Sequence, residues 1–190
     1  MMPVTLDPKQ ERESTMPPDA DRVALNEVNG LDRPAFVALL AGIFEDSPWV
    51  ADGAWESRPF ANVDSLHGAM VAAVRRAGVD AHLDLLRAHP DLAGRLAETG
   101  QLTASSTAEQ ASAGLDQLTL TEKARFNGLN QAYRGKFDFP FIIAVREHTR
   151  QSILDRFEAR LGNTAEQERQ TALDEVFKIA RLRLAQLFGA

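Results

Sequence analysis

Apolar residues recur at helical spacing along the whole C-terminal segment, residues 164–188. At about 100° per residue they project onto one arc of a helix, made of Leu173, Val176, Phe177, Ile179, Ala180, Leu184 and Leu187. A helix with an apolar face has to bury that face against other elements of a core. The segment therefore predicts a long helix packed into a folded domain.

The other segments with a regular apolar pattern also have helical spacing. No strand pair, Asn-Gly hairpin or internal repeat is visible in the sequence. One helix is predicted from Asp32 as N-cap, with Pro34 in its first turn, and ends before Ser47-Pro48. Others are predicted at 65–77, 80–86 with Asp80 as cap, from Ser106, from Thr119, at 146–161 and at 164–188. The pattern predicts an all-α, single-domain helical bundle.

The composition fits one globular domain and excludes several classes of function. Of the 190 residues, 44% are hydrophobic and 25% charged, as in an ordinary soluble domain. Residues 1–22 offer almost nothing to bury, so we predict a disordered tail followed by a domain at 23–190. A net charge of −6 without a basic run disfavours nucleic acid and membrane as partners. There is no cysteine, so disulfides and cysteine chemistry are excluded. No signal peptide or membrane span is visible, which predicts a cytoplasmic location.

Arg183 lies within the apolar arc of the last helix, whereas Arg181 lies outside it. A guanidinium on the core-facing side keeps its charge and needs an anion or several carbonyl acceptors. One interpretation is a structural ion pair, and the other is an anion clamp inside a cavity. A clamp would be partly unsatisfied without ligand, so Arg183→Met should then leave the fold intact.

His89 precedes Pro90, which disfavours helix at the histidine and predicts a break between elements. Breaks expose catalytic groups, and the ordinary pKa of histidine suits proton transfer near neutral pH. A His-Pro pair is also typical of a plain surface turn. The sequence leaves both interpretations open.

Two further segments are ambiguous. Ser106 and Glu109 form the Ser-x-x-Glu pattern of a helix-capping box, yet the same helix start could bind an anion and direct Glu109 at a reacting group. The apolar run 139–143 could be plain core, or its backbone amides could bind the carbonyls of a planar heterocycle. No histidines stand at metal-ligand spacing and there is no Gly-rich phosphate loop, so no metal site is predicted.

Taken in order, these motifs resemble the OHCU decarboxylase family. The resemblance is carried by His89-Pro90-Asp91-Leu92, by Ser106 with Glu109-Gln110, by Ala113-Gly114-Leu115, by Phe126 through Tyr133 and by Lys136-Phe137-Asp138-Phe139-Pro140-Phe141-Ile142. It extends from Leu31 through Ser47-Pro48-Trp49-Val50 to the helix of Glu175 to Leu187. Asp138 departs from the family, in which glycine is commoner at this turn.

The resemblance implies a cofactor- and metal-independent, usually homodimeric all-α enzyme. Such an enzyme decarboxylates 2-oxo-4-hydroxy-4-carboxy-5-ureidoimidazoline (OHCU) to (S)-allantoin in urate breakdown. It implies catalytic roles for His89, Glu109 and Arg183. It also implies substrate-binding roles for Pro90, Ser106, Thr107, Ala108, Glu109, Gln110, Phe141, Ile142, Ile143, Ala144 and Val145, several through backbone amides.

The implied chemistry agrees with the residues. The substrate carboxylate needs a cationic partner and its hydroxyl needs a proton acceptor, while its ring can delocalise the electrons left by CO₂ without a cofactor. The alternative is a helical module that binds a purine-derived ligand without turnover.

Overall fold

The structure is a computed structural model that describes residues 23–94 and 100–189. Within these residues the secondary structure is helical. The helices are α1 (Leu25–Gly30), α2 (Arg33–Leu40), α3 (Pro48–Ala54), α4 (Val63–Arg76), α5 (Val79–Arg87), α6 (Ala104–Ser112), α7 (Leu120–Phe137), α8 (Arg150–Arg160) and α9 (Ala165–Phe188), with 3₁₀ turns at Trp55–Ser57 and Val145–Glu147. The predicted all-α fold is confirmed. The predicted disordered tail, residues 1–22, lies outside the described residues.

Helix α9 is the long helix predicted from the apolar arc, and α4, α5 and α7 pack against it. The Thr164 side chain accepts a hydrogen bond from the Gln167 amide at its start, and Gly189 closes it with a positive φ of 67°. Its arc residues are buried, apart from the half-buried Leu187. Burial along α9 is thus set by the period of the sequence.

Several helix starts follow the predicted capping chemistry. The Asp32 side chain accepts a hydrogen bond from the Ala35 amide at 2.9 Å, and Thr119 and Glu122 form a reciprocal capping box at the start of α7. None of the described helices is long and apolar enough to span a bilayer.

Four predicted starts are wrong. Helix α4 begins at Val63 rather than at Ser65, because the Asn62 side chain caps it. Helix α5 begins one residue before Asp80, with Gly78 as its N-cap, so Asp80 is a first-turn residue. Helix α8 begins at Arg150, because Thr149 caps it and residues 145–147 form a separate 3₁₀ turn. Helix α6 begins at Ala104 rather than at Ser106, since the Thr103 side chain caps its N-terminus.

Candidate active site

The early start of α6 changes the role of its polar residues. Thr103 accepts the capping hydrogen bond from the Ser106 amide at 3.2 Å, so Ser106 and Glu109 lie one turn further into the helix. Both are buried and face the protein interior together with Gln110. The interpretation of Ser106 and Glu109 as a capping box is therefore wrong.

Glu109 binds the guanidinium of Arg183 with both carboxylate oxygens. The Arg183 Nε to Glu109 Oε1 distance is 2.8 Å and the Nη2 to Oε2 distance is 2.9 Å, the parallel geometry of a bidentate pair. The Nη2 group also lies 3.4 Å from Ser106 Oγ. Arg183 is 6% exposed and Glu109 8%, so the pair is buried, as the position of Arg183 on the arc predicted.

Arg183 has a second carboxylate partner, Glu45, which the sequence analysis missed. Glu45 lies in the turn after α2 and is 3% exposed. Its Oε2 lies 2.7 Å from Arg183 Nη1, a close ion pair rather than an aligned hydrogen bond, while Nη1 donates to the Gly42 carbonyl at 3.0 Å. Its Oε1 accepts hydrogen bonds from Thr103 and Ser106. No motif marks Glu45; its position directly after the buried Ile43 and Phe44 is the one weak signal.

These contacts keep both Arg183 and Glu45 charged and overturn one expectation. Burial disfavours the charge of Arg183, but Glu109 and Glu45 outweigh burial and raise its pKa. Burial likewise opposes the charge of Glu45, yet Arg183 and Thr103 bring the pKa of that carboxyl below its usual value. Arg183 is therefore fully partnered without ligand, and the expectation of a partly unsatisfied guanidinium is wrong.

His89 lies at the predicted break, two residues after the end of α5, and is 6% exposed. Its Nδ1 lies 2.9 Å from the Leu85 carbonyl, which can only accept, so Nδ1 carries the proton and Nε2 holds a lone pair. Burial lowers the pKa of His89, and Arg183 acts in the same direction. The Leu85 hydrogen bond and the charges of Glu45 and Glu109 oppose that shift. The imidazole is thus neutral near pH 7 and able to accept a proton.

Side chains from α6 and α7 fix the loop after His89. Gln110 Oε1 accepts a hydrogen bond from the Ala93 amide at 2.9 Å, and Asn130 Nδ2 donates to the Leu92 carbonyl at 2.9 Å. Arg134 pairs with the Asp91 carboxylate at 2.8 Å. Three side chains on neighbouring helices thus fix the loop that follows His89, where the sequence predicted only a break.

The backbone of the apolar run after α7 is held by two side-chain hydrogen bonds. Arg160 donates to the Ile142 carbonyl at 2.8 Å, and the Ala144 amide donates to Glu175 at 2.8 Å. The turn that leads into the run has Asp138 at φ 64°, the left-handed conformation that glycine adopts freely. Arg87 binds both the backbone carbonyl and the side chain of Asp138, so the turn keeps this conformation without glycine.

These elements surround an open cavity. Its lining residues are His89, Pro90, Leu92, Ser106, Glu109, Gln110, Phe141, Ile142, Ile143, Val145, Ile179 and Arg183. Thr107 and Ala108 are exposed and outside the lining, and the Thr107 amide is bonded to Thr103. Ala144 is buried with its amide taken by Glu175, and it lines a smaller pocket that shares Glu109, Ile143, Val145 and Ile179 with this cavity. Leu92 and Ile179 are lining residues that the sequence analysis missed.

The cavity combines an apolar wall with an anion-binding cation and a proton acceptor. Across residues 23–94 and 100–189, no group of three or more His, Asp or Glu side chains is arranged to hold a metal ion. Such a site can bind a small, planar anion and exchange a proton with it.

Comparison with known proteins places this geometry in a family. A model of the OHCU decarboxylase family matches residues 29–185. The OHCU decarboxylase of Haloferax volcanii is 45% identical over 168 residues, which cover 88% of this chain and 98% of that protein. The crystal structure of an (S)-allantoin synthase superposes with a TM-score of 0.70 at 33% identity, over 87% of this chain and 54% of that one. A crystal structure of OHCU decarboxylase in the presence of (S)-allantoin has a TM-score of 0.65 at 23% identity, over 80% of this chain and 99% of that one, and supports the fold alone.

Proposed function

The chain belongs to the OHCU decarboxylase family, and we propose that it converts OHCU to (S)-allantoin and CO₂ with His89, Glu109 and Arg183 as catalytic residues. The observation that carries this proposal is the meeting of these side chains in one cavity. They come from the loop after α5, from α6 and from α9, far apart in the sequence.

The substrate dictates what the site has to supply. OHCU carries a carboxylate and a hydroxyl on one ring carbon, next to an imine carbon that bears the ureido group. When the bond to the carboxylate breaks, its electron pair forms a double bond to the ureido-bearing carbon, and the imine nitrogen takes the charge. The hydroxyl then loses its proton and becomes a carbonyl, while the ureido-bearing carbon and the former imine nitrogen each gain a proton. Overall CO₂ leaves and one proton is taken up, with no external electron sink required.

Arg183 and Glu109 orient the polar groups of this substrate. The planar guanidinium fork matches a carboxylate or a ureido group, and burial strengthens the interaction relative to water. Glu109 lines the same cavity beside Arg183, so its oxygens can accept hydrogen bonds from ring or ureido N–H groups.

His89 takes the hydroxyl proton. Its Nδ1 proton is committed to the Leu85 carbonyl, so Nε2 is the nitrogen available to the substrate. Since burial lowers the pKa of His89, the imidazole is in its proton-accepting form at neutral pH. Delivery of a proton to one face of the flat intermediate would set the S configuration.

The other lining residues position the ring. We assign substrate contacts to Pro90, Ser106, Gln110 and the wall of Phe141, Ile142, Ile143 and Val145. Thr107 and Ala108 lie outside the described lining, and Ala144 lines the smaller adjoining pocket, so substrate contacts of these three residues stay predictions. A homodimer is a further proposal that rests on the family resemblance, and light scattering tests it. A cytoplasmic location stays a prediction from the sequence.

The first experiment mixes freshly generated OHCU with catalytic amounts of the protein. Ultraviolet absorbance follows loss of OHCU, and circular dichroism identifies (S)-allantoin as the product. His89→Ala should fold and lose about 10²–10⁴-fold of the acceleration, the usual contribution of a positioned proton-transfer group.

The outcomes separate the candidates. Binding of allantoin without accelerated decay of OHCU would instead support a ligand-binding module without turnover. Full activity in the folded His89→Ala variant would remove His89 from the mechanism but leave the reaction in place.

A further inference from the structure

Glu45 is a buried carboxylate beside the site to which the proposed mechanism gives no role. It joins three elements: it sits in the turn after α2, its Oε1 accepts from Thr103 Oγ1 at 2.8 Å and Ser106 Oγ at 3.0 Å, and its Oε2 contacts Arg183 on α9. Glu45 therefore fixes the first turn of α6 relative to the guanidinium.

The two carboxylates on Arg183 differ in their access to the cavity. Glu109 lines the cavity and occupies the Nε and Nη2 groups of the guanidinium. Glu45 is absent from the described lining and approaches the remaining Nη1 group, next to the Gly42 carbonyl. An anion that enters this cavity therefore meets Glu109 and Arg183, whereas Glu45 contacts Arg183 from outside the described lining.

We propose that Glu45 is a positioning residue that keeps Arg183 in place while the substrate carboxylate replaces Glu109 on the Nε and Nη2 groups. This inference rests on the proposed function. The Nε–Nη2 edge presents two parallel N–H groups, the arrangement that a carboxylate binds best. Glu109, once displaced, is left beside the substrate to accept from its N–H groups, whereas the long arginine side chain remains fixed through Nη1.

Electrostatics and positioning predict opposite changes in KM when the charge of Glu45 is removed. Glu45 adds a negative charge beside the cation that binds an anionic substrate, so by charge alone Glu45→Gln should strengthen substrate binding and lower KM. If Glu45 holds Arg183 in place, the same substitution should weaken binding and slow turnover. Misplacement of a positioning group by about 1 Å can cost about 10²-fold.

Glu45→Gln isolates the ion pair, because an amide oxygen can still accept from Thr103 and Ser106. One carboxylate, Glu109, remains for Arg183, so no buried charge is left unpaired and the variant should fold. Glu45→Asp keeps the charge but shortens the side chain, so it cannot reach both Arg183 and α6. Glu158→Gln is the matched control, because it breaks a Glu–Arg pair with Arg125 on the surface, away from the cavity.

The experiment measures kcat and KM for OHCU, with far-ultraviolet circular dichroism to report the folded fraction. We expect Glu45→Gln to raise KM and lower kcat/KM by about 10²-fold per folded molecule, Glu45→Asp to be impaired as well, and Glu158→Gln to match the parent. A lower KM in Glu45→Gln, parental activity in Glu45→Asp, or losses explained by the unfolded fraction would each overturn the proposal. If the parent itself fails to accelerate OHCU decay, the proposed function fails and this inference falls with it.

Discussion

Replacing Arg183 by methionine tests whether the fold needs this guanidinium to keep the carboxylates of Glu45 and Glu109 buried. Methionine keeps an apolar stem in the arc of α9 but removes the charge that neutralises Glu45 and Glu109. Both carboxylates are below 9% exposed, so water replaces the lost partner only in part. The structure thus reverses the sequence-based expectation for stability: Arg183→Met should be markedly less stable, as well as inactive.

The magnitude follows from the stranded charges. Removing one partner of a buried ion pair costs about 3–5 kcal/mol, a large part of the 5–15 kcal/mol that stabilises a typical domain. For a domain of this size each kcal/mol lowers the melting temperature by about 2–4 °C, so we expect a fall of about 6–20 °C. Adding Glu45→Gln and Glu109→Gln to Arg183→Met removes the unpaired charges and should recover much of that loss.

The pH dependence of stability should reverse its sign. In the parent, the pKa of Glu45 lies below its usual value of 4.5, so the carboxylate contributes stability above that pH and loses it as the pH falls through the lowered pKa. In Arg183→Met, the unpaired carboxyl has a pKa raised by burial, so stability should be lost as the pH rises and partly regained in mild acid.

Chemical denaturation across pH measures both effects. Arg181→Met is the control, because Arg181 lies on the exposed side of α9, 3.0 Å from Asp64 with both side chains largely solvated. It should change stability by no more than about 0.5 kcal/mol and leave turnover intact. An Arg183→Met variant that is as stable as the parent, or has the same slope of stability against pH, would contradict the charge argument.

Two further predictions concern the residues that face the cavity. Glu109→Gln leaves Arg183 with one counterion, Glu45, so chemical denaturation should show a fall of only about 1 kcal/mol in the unfolding free energy. The OHCU decay assay should show a drop in kcat/KM of about 10²-fold or more. A large loss of stability at full activity would assign Glu109 a structural role. In the pH profile of kcat/KM, the fall in activity on the acid side should lie below pH 6.5, because burial lowers the pKa of His89 and activity is lost when the imidazole is protonated. A fall that lies above pH 6.5 would exclude His89 as the base.

Local sequence rules predicted the helices well where a capping residue and an apolar period agree. Asp32, Thr119 and Thr164 begin helices α2, α7 and α9 as expected. The rules failed at α6, because Thr103 and Ser106 offer equivalent capping side chains and the choice depends on tertiary contacts. Glu45 accepts from the hydroxyls of both Thr103 and Ser106, and Glu109 binds Arg183. These contacts place Ser106 and Glu109 inside the helix, with Thr103 as its N-cap.

The sequence predicted individual site residues, but not which of them contact one another. Arg183 was identifiable because a charge on an apolar arc is anomalous, and its burial confirms that inference. Its partners were not identifiable, since Glu109 and Glu45 are 74 and 138 positions away in sequence and only the packing of α6 and the turn after α2 against α9 brings them together. Pairing over such distances leaves no local pattern to read.

The charge count of the cluster favours a working site over a static ion pair. One carboxylate would neutralise Arg183, yet two are buried beside it, so the cluster is negative while His89 is neutral. A substrate carboxylate adds another negative charge unless a proton enters as well, and the reaction itself consumes one proton. His89 faces Glu45, Glu109 and Arg183, and the two carboxylates favour its protonated form against the cost of burial. The excess carboxylate therefore stabilises the imidazolium that forms when His89 takes the hydroxyl proton, a state that a purely structural ion pair would have no reason to stabilise.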